Sequence, residues 1–159
     1  MRRMTTYLGI LALAACGWHA ACAANDSDAA APGPAWLTSV PKANEEAKKT
    51  SRLILADFTG SDWCGWCVKL KAEVFDTPEF KDWAGKNLVL LELDFPRAKP
   101  QDEATKKQNQ DMAQKYKVEG FPTIHFLKPD GTSVGTMGYQ RGGPKAWIAS
   151  AQKILDAAK

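Results

Sequence analysis

The chain has 159 residues, enough for one domain and a leader, and its 45% hydrophobic and 25% charged content is ordinary for a soluble globular protein. The formal charge is +3, but Arg2 and Arg3 lie in the leader, and without them 19 basic residues face 18 acidic ones, a net of about +1. That balance argues against nucleic acid or an anionic membrane as a partner found by bulk electrostatics.

Residues 1–23 read as a targeting segment. Arg2-Arg3 is a positive n-region, and Tyr7 to Ala15 is an apolar core too short to span a bilayer. Two processing sites compete. Ala21-Cys22-Ala23 fits the small-x-small pattern of signal peptidase, whereas Leu13-Ala14-Ala15-Cys16 resembles a bacterial lipoprotein box in which Cys16 is lipidated. The apolar core runs directly into the second site, which favours it. Either way the protein is expected outside the cytoplasm, in the periplasm or anchored to a membrane through Cys16. Residues 24–35 are small, polar and Pro/Gly-bearing, the composition of a flexible tether. The folded domain is expected over 36–159 and keeps two cysteines, Cys64 and Cys67.

In chain order, Pro41–Ser51 is a short charged helix. Leu53–Phe58 (LILADF) is an apolar run with the pattern of a strand covered on both faces. Gly60-Ser61-Asp62 is a loop in which Ser61 or Asp62 is expected to cap the next helix, Trp63 to about Val74, with Cys64 at its start. Thr77-Pro78-Glu79 opens another helix, with Phe80 and Trp83 on one face. Leu88–Leu93 is a second buried strand, and Gln101–Tyr116 a solvated helix that reaches the core through Met112, Ala113 and Tyr116. Thr123–Leu127 and Thr132–Met137 flank a tight turn as an antiparallel pair. His125 on the first of them reads as a core or edge histidine. After Gly142-Gly143-Pro144, a final amphipathic helix turns Trp147, Ile148, Ala151, Ile154 and Leu155 inward. This order predicts an α/β fold: a mixed central sheet with helices on both faces.

The chemistry sits in Trp63-Cys64-Gly65-Trp66-Cys67. A thiolate at a helix N-terminus meets unpaired backbone N–H groups and the positive end of the helix dipole, so Cys64 is the expected nucleophile. Cys67, nearly one turn on, is placed to attack a mixed disulfide formed at Cys64, and the pair opens and closes as a two-electron switch. Half of a zinc site competes with this reading, but the domain offers no further cysteine and one distant histidine. A structural disulfide also competes, although so small a loop removes little chain entropy. A pair of buried apolar cysteines fits poorly with Gly65 and the preceding loop. The redox reading needs no metal and no cofactor.

Leu53–Lys69 (LILADFTGSDWCGWCVK) resembles the active-site strand and helix of thioredoxins, and Gly120-Phe121-Pro122-Thr123 is similar to their Gly-x-Pro-Thr loop. Pro129-Asp130-Gly131 and Gly138 match in order and spacing. The resemblance implies a thioredoxin-like fold and a cis peptide at Phe121–Pro122 beside the cysteine pair. It further implies that this loop holds a substrate segment and keeps stray metals off the thiols. Asp57, inside a strand that looks buried on both faces, is costly there unless paired, and burial raises its pKa. It is the candidate general base for Cys67, and the family has an aspartate in a similar place. Exposure at the strand end is the other reading. Trp63 and Trp66 are candidate substrate-binding residues, with Phe121 and Pro122.

Three departures from thioredoxins stand out. The gap from Asp57 to Cys64 is one residue longer, the spacer is Gly65-Trp66 rather than Gly-Pro, and the second strand carries Glu92 but no lysine. The expected activity is reduction or isomerisation of disulfides in exported proteins, with an unidentified redox partner. A dedicated oxidase, a non-catalytic thioredoxin-fold binding module and Cu(I) handling by the two thiolates are the alternatives.

Overall fold

A computed structural model describes residues 33–159; the segment expected to be a leader, with Cys16 and Cys22, and the expected tether as far as residue 32 lie outside the described residues. A two-residue strand β1 (Trp36–Leu37) leads into α1 (Val40–Thr50). Ser51 ends α1 in the left-handed conformation. There follow β2 (Leu53–Thr59), α2 (Gly65–Leu70), a π-helical turn over Lys71–Phe75, α3 (Pro78–Asn87), β3 (Leu88–Asp94) and α4 (Glu103–Lys115). The hairpin β4 (Thr123–Leu127) and β5 (Ser133–Met137) precedes α5 (Gly143–Ala157).

The strands form one sheet in the order β1-β3-β2-β4-β5. β1 and β2 run parallel to β3, whereas β4 is antiparallel to β2 and β5 to β4. The mixed sheet expected from the order of elements is therefore present. β1 escaped the sequence reading because two residues carry no periodicity.

Alternation along β2 divides the core. Ile54, Ala56 and Phe58 point to one face, where they meet Ala43 and Ala47 of α1 and Leu91 and Leu93 of β3. Met112 and Ala113 of α4, and Tyr116 at its C-cap, pack against that cluster as expected. Leu55 points to the other face, with Leu70 of α2, Phe80 and Ala84 of α3, and Trp147, Ala151 and Leu155 of α5. Strands buried on both faces need helices on both faces, and the two clusters provide them. Asp57 follows Leu55 by two residues and so shares the face covered by α2, α3 and α5.

Three helix starts follow their side chains. The Thr77 hydroxyl accepts the Phe80 N–H at 3.3 Å, with Pro78 in the first turn. Asp102 Oδ1 accepts the Thr105 N–H at 2.9 Å. At α2 the cap is neither Ser61 nor Asp62 but Cys64, whose sulfur accepts the Cys67 N–H. Nor does the helix run uniformly to Val74: it changes to π geometry at Lys71, which brings the consecutive Val74 and Phe75 both into the core.

Candidate active site

The turn before α2 is tied down from two directions. Cys64 N–H donates to the Gly60 carbonyl at 2.9 Å. Ser61 donates its backbone N–H and its hydroxyl to the Asp94 carboxylate at 2.9 and 2.6 Å. Asp62, freed from capping the helix, accepts the backbone N–H groups of Arg97, Ala98 and Lys99 at 2.8–3.2 Å. Those bonds, the one from Arg97 foremost, hold its carboxyl down at about 2. The loop between Asp57 and Cys64 is thus clamped onto β3 and the chain that leaves it.

Cys64 and Cys67 are joined as a disulfide with Cα atoms 5.2 Å apart. Cys64 has extended backbone geometry at the N-cap, and its Sγ accepts the Cys67 N–H at 3.2 Å. Exposure does not separate the two sulfurs, since the residues are 6% and 4% exposed. Their surroundings do. Cys67 lines a cavity of about 130 Å³ whose walls include Asp57, Glu92, Lys71 and Trp36. The volume is well above the ~10–15 Å³ that one water needs, and Asp57, Thr59, Glu92 and Lys71 supply polar groups to a wall that is otherwise mostly apolar.

Asp57 is buried, and its Oδ1 has no hydrogen-bond partner among the described residues. Burial pushes its carboxyl up to about 8, with the negative charges of Glu92 and Asp94 adding to the effect and Lys71 opposing it. Glu92 lies beside Asp57 in the β2–β3 register. Its carboxyl is also raised, by burial first and Asp94 second. The lysine absent from β3 has a counterpart on the opposite wall: Lys71, four residues after Cys67, lines the cavity. Its ammonium is engaged by Asp76 at 2.9 Å and is half-exposed. The helical spacing from Cys67 to Lys71 was a readable signal. Trp36 and Arg97 carried none, because long-range folding brings them in.

The tryptophans differ. The Trp63 indole N–H donates to the Phe95 carbonyl at 2.8 Å, Arg97 stacks 3.7 Å above the ring, and Phe121 packs edge-on at 5.7 Å. Trp66 is 53% exposed and leans on Tyr139 at 5.0 Å; Val68, farther round α2, is 52% exposed. The Phe121–Pro122 peptide is cis. His125 is away from this group. It packs on Phe58 and Tyr116, with Nδ1 3.0 Å from the Ser133 hydroxyl, as expected of a core histidine, and burial lowers its basicity.

The thioredoxin-like domain family matches residues 40–150. The disulfide bond reductase DsbH of Chlamydia pneumoniae is 37% identical over 117 residues, which covers 74% of this chain and 70% of that protein. A solved DsbH oxidoreductase superposes with a TM-score of 0.76 at 36% identity, over 80% of this chain and 88% of its own. A thioredoxin from Thermus thermophilus shares the fold, with a TM-score of 0.58 at 19% identity over 77% of this chain and 88% of its own. With the paired cysteines at the head of α2 and the sheet order already described, these likenesses establish that the chain belongs to the thioredoxin-like family and is a protein-disulfide oxidoreductase.

Proposed function

We propose that the chain reduces disulfides in exported proteins, with Cys64 as the entering nucleophile, Cys67 as the resolving thiol and Asp57 as the proton acceptor for Cys67. The observation that carries this reading is the shared cavity: Cys67 and Asp57 line it together, while Cys64 occupies the helix cap. A thiolate at Cys64 keeps the Cys67 N–H as a donor and lies at the positive end of α2.

In the first step Cys64 thiolate attacks a substrate disulfide. One S–S bond forms to the substrate, and the departing substrate sulfur leaves with the bonding pair and takes up a proton. In the second step the Cys67 S–H proton passes to Asp57, directly or through water. The Cys67 sulfur bonds to Cys64 Sγ, and the Cys64–substrate bond breaks with its pair on the substrate sulfur, which is protonated from solvent. The substrate gains two electrons, the enzyme pair loses two, and Asp57 returns its proton to solvent before the pair is reduced again by a redox partner.

Trp66, Val68 and the Phe121–Pro122 turn are assigned to holding an extended or unfolded substrate, with Trp63 a fixed wall of that surface. The similarity to a disulfide bond reductase favours reduction over net oxidation. The reduction potential of the Cys64–Cys67 pair against glutathione tests the direction: a value in the thioredoxin range, near about −270 mV, is expected, and one near about −120 mV would make the protein an oxidase. Insulin reduction with dithiothreitol checks turnover. Inactivity there would leave a binding platform.

Export accompanies this reading, supported by Arg2-Arg3, the apolar core and the two processing motifs. Mass spectrometry of protein from the native host is expected to find an acylated Cys16 or a start near Ala24. Retention of Met1 would contradict export.

A further inference from the structure

The parallel register of β2 and β3 sets Asp57 directly beside Glu92. Side chains at paired positions of neighbouring strands project from the same face, about 5 Å apart at the backbone. Both carboxylates therefore enter the cavity that Cys67 lines. Asp57 is buried with an unpartnered oxygen, while Glu92 is only partly covered. The other charged groups facing them are Asp94 farther along β3, Lys71 from the π turn and, toward Glu92, Lys99 from the loop after β3. Lys71 is drawn toward Asp76, and Lys99 Nζ donates to the Ser61 hydroxyl at 3.1 Å. Among the described residues no hydrogen bond or ion pair links either carboxylate to a cation. Two adjacent carboxylates without a dedicated counter-ion in one cavity do not both ionise easily.

We propose that Glu92 is the positioning residue for the resolving step: its charge beside Asp57 keeps Asp57 able to hold the Cys67 proton at neutral pH, and Lys71 acts weakly in the opposite sense. This rests on Asp57 being the proton acceptor for Cys67. In a site where β3 supplied a cation, Asp57 would be driven to ionise and would hold a proton poorly. Here β3 supplies an anion, and Asp57 is a stronger base. The role of Glu92 is electrostatic, so its charge matters more than its shape.

The test uses the reduced full chain labelled with ¹³C at its carboxyl groups. NMR follows Asp57 across pH in the wild type and in Glu92→Gln, Glu92→Asp and Lys71→Met. Rapid-mixing kinetics follow resolution of a preformed mixed disulfide over the same range. Glu92→Gln is expected to move the Asp57 midpoint to lower pH by about one unit. Glu92→Asp, which keeps the charge, stays near wild type, and Lys71→Met moves the midpoint slightly to higher pH. The kinetic midpoint is expected to follow the NMR midpoint in every variant. An Asp57 midpoint unmoved by Glu92→Gln overturns the proposal, as do shifts of the same sign in Glu92→Gln and Lys71→Met. NMR midpoints that move while the kinetic midpoint stays fixed overturn instead the assignment of Asp57 as the proton acceptor.

Discussion

Asp57 of β2 and Cys67 of α2 line one cavity, and Oδ1 of that carboxylate is buried without a hydrogen-bond partner among the described residues. An uncompensated buried carboxyl is costly to ionise, and that cost connects the chemistry of the site to the stability of the fold.

The first prediction concerns that cost. The Asp57 carboxyl is raised from an ordinary 3.8 to about 8 on folding. A group raised in this way contributes no penalty below its unfolded value, where both states are protonated. As pH rises from about 4 through 8, the unfolded state ionises first and folding loses stability. Asp57→Asn is expected to be about as stable as the wild type at pH 4 and more stable at pH 8, by on the order of a few kcal/mol. Thermal melts of the two proteins across that range check this. A difference that does not change with pH would place the Asp57 carboxyl in a solvated site, and one that shrinks with rising pH would mean that folding favours its ionised form.

Much of this arrangement was legible in the sequence. The run LILADF, the Cys64–Cys67 pair and the Gly-Phe-Pro-Thr turn announce themselves by local pattern, because a doubly covered strand and a helix start each leave a signature within a few residues. The capping of α2 was not legible. Ser61 and Asp62 are ordinary cap residues, yet the chain leaving β3 offers stronger partners: Asp94 takes Ser61, and three backbone N–H groups take Asp62. Tertiary contacts won over local preference. The same holds for Trp36, which reaches the cavity wall only because β1 pairs with β3. Glu92 in place of a lysine on β3 was already visible in the sequence; that it stands directly beside Asp57 needed the strand register.

A second prediction separates substrate holding from chemistry. Trp66 is 53% exposed and touches the fold mainly through Tyr139 and Lys69. Trp66→Ala is expected to change stability by no more than about 0.5 kcal/mol, as surface substitutions do. For an unfolded protein substrate, KM should rise several-fold with kcat little changed, while exchange with glutathione is unaffected. Equal losses with both substrates would mean that Trp66 shapes the thiols and not the substrate surface.

A third prediction concerns the seat of Trp63. A Cβ built on Gly60 falls 2.5 Å from the Trp63 ring, which Phe95, Arg97 and Phe121 hold in place. Gly60→Ala forces the ring aside and is expected to cost about 1–3 kcal/mol, the range of overpacking. Urea unfolding followed by far-UV circular dichroism measures it, and the native tryptophan fluorescence should change as the ring leaves its seat. Wild-type stability and an unchanged spectrum would show that Trp63 is looser than its contacts imply.

The central claim is that the two cysteines have different tasks, Cys64 entering and Cys67 resolving, and mixed-disulfide trapping tests it most directly. Cys67→Ser and Cys64→Ser proteins are each reduced and mixed with an unfolded protein that carries a disulfide. The covalent adducts are then counted on non-reducing gels and their sulfurs assigned by peptide mapping. Cys67→Ser is expected to accumulate adduct through Cys64, because attack proceeds and resolution has no thiol. Cys64→Ser is expected to trap little, because Cys67 lies within α2 and faces the cavity beside Asp57, away from the helix N-terminus that favours a thiolate. Adduct formed equally by both variants, or chiefly through Cys67, would contradict the account.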